Sequence, residues 1–155
     1  MSTSSWPTDW NDRKVGIDCG MCATRGLDDN GRGLRVLKGE YADVYLNPAA
    51  LRGYAVAIWN GPHVAEPTQL TEDEAAGFFR EVLRAGRAIE QHLHPAKMNY
   101  EVQGNSVPHL HVHVIPRPDD DPAPGAQLPS AFLEHQPDIS PQFAQDLAYL
   151  RRVLS

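Results

Sequence analysis

The chain has 155 residues, 41% apolar and 22% charged, a balance that suits one globular domain with its own core. Its net charge of −6, with Lys and Arg unclustered, argues against bulk electrostatic binding to nucleic acid or to an anionic membrane, but not against a small phosphorylated ligand. No apolar run approaches the roughly 20 residues of a membrane helix, the start has no signal-peptide pattern, and two cysteines are too few for a disulfide framework. The expected setting is therefore the cytoplasm.

Residues 1–16 read as a loose polar arm with two tryptophans, followed by "CGMC" and a Gly/Asp/Asn-rich turn region, "RGLDDNGRGL". "RVLKG" and "YADVYLN" read as short strands. "YAVAIW", Tyr54 to Trp59, is a continuous apolar β-type run, the pattern of a buried central strand. A long helix is expected from Thr71 to His94. Thr71 and Glu74 form a capping box, and Ala75, Phe78, Phe79, Val82, Leu83, Ile89 and Leu93 recur at helical spacing. Pro95 stops it. "KMNYEV" and "HLHVHVIP" are the next strands, paired as a hairpin around "QGNSVP".

After Arg117 the texture changes, with seven of the 13 prolines from Pro116 onward, so residues 119–155 read as a surface tail rather than a second core. It ends in a helix with Ser140 as N-cap and Pro141 at the first helical position, striped by Phe143, Leu147, Leu150 and Leu154. The division is an arm (1–16), a main domain (17–118) and a tail with helix (119–155). The expected class is α+β, an antiparallel sheet of about five strands crossed by one long helix.

Three of the seven histidines, His109, His111 and His113, alternate strictly. On a strand they share one face, while Leu110, Val112 and Val114 point into a core. Neighbouring imidazoles then start about 6.5–7 Å apart and the outer two about 13 Å apart. One metal ion can take two of them but not all three, because Zn–N bonds are about 2 Å. The three must divide their labour. The alternative is a solvent-facing strand that is His-rich by chance. Gly104 and Asn105 lie at the turn beside the first histidine and can bring an N–H and an amide to the site.

"HLHVHVI" fits the His-φ-His-φ-His-φ-φ signature of the histidine triad family at all seven positions. The longer "MNYEVQGNSVPHLHVHVIPR" resembles the bacterial branch related to diadenosine tetraphosphate hydrolases. The resemblance implies a nucleotide hydrolase or nucleotidyl transferase acting on a purine nucleotide derivative, such as a dinucleoside polyphosphate or a nucleoside phosphoramidate. It also implies a homodimer. By position, His111 would attack the α-phosphorus, its Nδ1–H held by the carbonyl of His109, and His113 would stabilise the phosphate oxygens. Asn47 would contact the ribose, with a turn or cap role as the alternative. Ser106 would contact the α-phosphate. Asn105 stands where many members carry a longer Gln that reaches the leaving group, and Tyr54, where several carry a fourth histidine, would contact the substrate.

Cys19-x-x-Cys22 reads as a zinc half-site, a redox dithiol or coincidence. Some members of the family complete such a pair with a histidine after the central strand and with the first triad histidine. Here His63 and His109 occupy those places, implying a structural zinc. His92, His94 and His135 are expected at the surface, Arg117 as a solvated charge or a phosphate contact, and Asp119 to Pro122 as a solvated loop. Two other classes compete: a nucleotide-binding protein without turnover, and a phosphohydrolase using zinc-activated water.

Overall fold

The computed structural model describes residues 3–155. Five strands form one antiparallel sheet in the order β1-β2-β3-β5-β4: β1 Leu34–Lys38, β2 Ala42–Leu46, β3 Ala55–Trp59, β4 Lys97–Glu101 and β5 His111–Arg117. β3 is central and wholly buried, as its unbroken apolar run requires. β4 and β5 pair as the expected hairpin, with Glu101 opposite His113.

Four helices accompany the sheet: α1 Trp10–Lys14, α2 Gly20–Ala23, α3 Glu72–Leu93 and α4 Pro141–Val153. The Thr71–Glu74 capping box starts α3, and Ser140 caps α4 by accepting from the Phe143 N–H. Phe78, Val82 and Ile89 of α3 and Leu150 of α4 pack onto the sheet face formed by Val44, Leu46, Ala57, Val112 and Val114. The opposite face carries Tyr54, Val56, Ile58, His111 and His113. There Val56 lies against His113 and Ile58 against His111 in register. One face is core and the other is left for a site.

Several expectations are corrected. Residues 1–16 are not simply a loose arm, since Trp10–Lys14 is helical and Trp6 stacks on Trp10 at 4.5 Å between ring centroids. The α3 stripe is narrower than the apolar spacing implied. Leu83 is 43% exposed and Ala75 only half-buried, while the small Ala85, Gly86 and Ala88 face inward. Strand β5 begins at His111, not His109. Pro108 has no N–H to give, and the His109 N–H turns back to the Val107 carbonyl at 2.8 Å, so no ladder forms there.

Arg117 is neither solvated nor a phosphate contact. It is buried and donates to the Asp121 carboxylate, to Asn99 Oδ1 at 2.9 Å and to the carbonyls of Ala123 and Ala126 at 2.9 and 2.8 Å. Asp121 is thus not part of a merely solvated loop, and the first turn of the tail is fastened to the sheet. Nor is His92 a free surface residue. Its Nε2 lies 2.8 Å from Asp146, a buried carboxylate that Arg52 grips with two hydrogen bonds, and its ring stacks on Tyr149. No helix among the described residues is long and apolar enough to cross a membrane.

Candidate functional site

Two sites meet at His109. Cys19, Cys22, His63 and His109 bring one ligand atom each to within 4.8 Å of one another. The Cys22 N–H points back to Cys19 Sγ at 3.4 Å, so the short α2 turn presents both sulfurs on one side. His63 Nε2–H donates to the Lys14 carbonyl at 3.0 Å and His109 Nε2–H to the Trp59 carbonyl at 2.8 Å. Each ring is held from behind, with the Nδ1 lone pair aimed at the sulfurs, the usual support of a metal-binding histidine. Sulfur–nitrogen separations are 3.3 Å for Cys22–His63 and 3.5 Å for Cys19–His109 and Cys22–His109. Zn–S bonds of about 2.3 Å and Zn–N bonds of about 2.0 Å set tetrahedral S···N edges of about 3.5 Å, so the donor set fits a zinc ion. Burial first, then Cys19 beside it, pushes the Cys22 thiol above its ordinary value. A cation between the sulfurs reverses that.

On the cleft side, His111 is buried and its Nδ1–H donates to the His109 carbonyl at 2.6 Å. That bond fixes the tautomer and leaves Nε2 with its lone pair free. Burial also holds the His111 imidazole below its usual pKa, so it is uncharged at neutral pH. The His113 ring lies 4.9 Å away, edge to face. Its Nδ1 is 2.7 Å from the Tyr54 hydroxyl. Burial drives His113 down to about 4, with His111 adding to the effect, and raises Tyr54 to about 12. The phenol therefore donates to a neutral imidazole, and His113 Nε2–H is the donor left for the cleft.

The cleft has a volume of about 680 Å³, within the range of small-molecule sites. It brings together Asn47, Tyr54, Asn105, Ser106, His111 and His113, whereas Cys19, Cys22, His63 and His109 do not line it. Asn47 Oδ1 is buried with no hydrogen-bond partner, so this amide has capacity to spare. Tyr54 lines the cleft, and its hydroxyl is also hydrogen-bonded to His113. Sequence reasoning missed Arg32, Glu101, Gln103, Gln127 and His135 in the lining. They come from a turn, a strand end and the tail, where no periodicity marks a residue as facing a site.

The HIT domain pattern matches residues 41–120. The fold is similar to that of a histidine triad protein from Bradyrhizobium japonicum, with a TM-score of 0.71 and 22% identity, covering 80% of this chain and 92% of that one. It is also similar to a zinc-bound histidine triad family protein from Mycobacterium smegmatis, with a TM-score of 0.62 and 23% identity, covering 89% and 94%. A hypothetical histidine triad nucleotide-binding protein from Sulfolobus tokodaii gives a TM-score of 0.65 and 18% identity, covering 88% and 91%.

Proposed function

The chain belongs to the HIT domain family, and from that premise we propose that it is a nucleotide hydrolase or nucleotidyl transferase working through a nucleotidyl-histidine intermediate on His111. The substrate is a purine nucleotide derivative, a dinucleoside polyphosphate or a nucleoside phosphoramidate, as in the branch that resembles diadenosine tetraphosphate hydrolases. The observation that carries this reading is the 2.6 Å bond from His111 Nδ1 to the His109 carbonyl, which leaves Nε2 as a free lone pair in the cleft. Attack on the α-phosphorus forms a P–N bond and expels the leaving group with its electron pair. Water then opens the P–N bond and restores the imidazole. His113 Nε2–H donates to the phosphate oxygens, where charge accumulates. Asn47 and Ser106 hold the ribose and the α-phosphate, and Asn105 faces the leaving group.

Zinc, held by Cys19, Cys22, His63 and His109, is structural in this reading. When bound it would crosslink the start of α2, the segment after β3 and the segment leading into β5. Four protein ligands leave no open position for activated water, and none of the four lines the cleft, which argues against the zinc-water class. The zinc-bound relative from Mycobacterium smegmatis is consistent with the assignment. By family resemblance the protein is a homodimer. The test is a turnover screen of adenosine and guanosine derivatives at neutral pH, with released nucleotide measured. Tight binding without release would select the binding-protein class instead.

A further inference from the structure

Arg32 sits in a turn whose backbone is fixed from several sides. The Asn30 side chain accepts from the N–H groups of Arg32 and Gly33 at 3.0 and 2.9 Å, and Asp29 accepts from Gly31 at 2.8 Å. Gly33 has no room for a Cβ against Asn47. His135 of the tail lies with Nδ1 3.0 Å from the Arg32 carbonyl. The guanidinium, by contrast, has no hydrogen-bond or ion-pair partner among the described residues. Arg32 lines the cleft and is the only Lys or Arg to do so among the described residues.

The other fixed charge of the cleft is Glu101, at the end of β4. It is held by the neutral amides of Gln103 and Gln127 at 2.9 and 3.3 Å. Arg32 lies in the turn that leads into the edge strand β1 and Glu101 ends the other edge strand, β4, and both line the same cleft as His111 and His113.

We propose that Arg32 is a specificity-determining residue: it binds an anionic group of the substrate other than the phosphate attacked by His111, and Glu101 turns that group away from the β4 wall. The inference rests on the nucleotide reading above and deepens it. His111 and His113 are committed to the phosphate under attack, and no Lys or Arg other than Arg32 lines the cleft among the described residues. A free guanidinium supplies a countercharge for a second phosphate, through two N–H groups in one plane. The fixed backbone means that only side-chain order is lost when the ion pair forms.

The test is calorimetric binding of adenosine, AMP and ADP to the full zinc-loaded chain, which needs no turnover. Wild-type protein should bind ADP more tightly than AMP. Arg32→Gln should weaken ADP by about 10- to 100-fold, the value of a charge-assisted hydrogen bond or two, with AMP changed by less than about 3-fold and adenosine unchanged. Arg32→Lys should keep part of the preference, and Glu101→Gln should strengthen ADP over AMP. Equal losses for AMP and ADP in Arg32→Gln, or no preference for ADP in the wild type, would overturn the role of Arg32 while leaving the nucleotide reading intact. Failure of all three ligands to bind would overturn both.

Discussion

Tyr54→Phe removes one oxygen and keeps the ring that stacks on His113, with centroids 5.9 Å apart and planes 10° apart. It isolates the 2.7 Å hydrogen bond to His113 Nδ1. With the phenol donating, Nδ1 accepts and Nε2 carries the proton. Without it, nothing distinguishes the two tautomers, and part of the population presents a lone pair where a donor is needed. The lost bond is worth about 1 kcal/mol, and the misplaced proton adds to it, so kcat should fall by roughly 10-fold. KM should stay within about 2-fold, because in the proposed reading Asn47 and Ser106 hold the substrate without Tyr54. Steady-state release of nucleotide gives the kinetic split, and nitrogen NMR of labelled histidine reads the tautomer directly. Unchanged kcat together with an unchanged Nε2–H tautomer would refute the reasoning. A large rise in KM alone would return Tyr54 to the substrate-binding role expected from the sequence.

Untreated protein should carry about one zinc per chain, and Cys22→Ser should lose it and lower the melting temperature, because ligation and folding are linked; metal analysis and calorimetry check both. Asn105→Gln should change the ratio of rates between phosphate and amine leaving groups, measured on paired substrates, since the longer amide reaches a different atom in the transition state. The His111 imidazole is held below its ordinary value of 6.5 by burial, so the acid limb of the kcat/KM profile should have its midpoint below that value. The sign for stability is the same for His113, whose folded value of about 4 lies below the unfolded one. The unfolded chain takes the proton first, so urea titrations should show stability falling as pH drops from about 6.5 towards 4.

The central strand, the long helix with its cap, the last helix and the β-hairpin were legible because each has a local signature: an apolar run, Thr71–Glu74, Ser140-Pro141 and alternation around a Gly turn. The strict alternation of the histidines marked them as a site, and the structure places His109 with the cysteines and His111 and His113 in the cleft. What sequence did not reveal depends on contacts made at long range. Arg117 looks like any charge beside a proline-rich tail until Asn99, Asp121 and two carbonyls close around it. His92 lies 54 residues from Asp146, and no spacing rule joins them. Arg32 and Glu101 come from opposite edges of the sheet and become one site only when the tail closes over the face between them.

The central claim is that His111 Nε2 becomes covalently bound to the α-phosphorus. Rapid quench of the zinc-loaded protein with α-labelled nucleotide substrate tests it most directly. The account predicts a labelled, acid-labile and base-stable adduct that maps to His111. It should be absent from His111→Ala, whose kcat falls by roughly 10³-fold or more while zinc and nucleotide binding are retained. Near-normal turnover by His111→Ala, or an activity that disappears only because that variant has lost its zinc, would contradict the account.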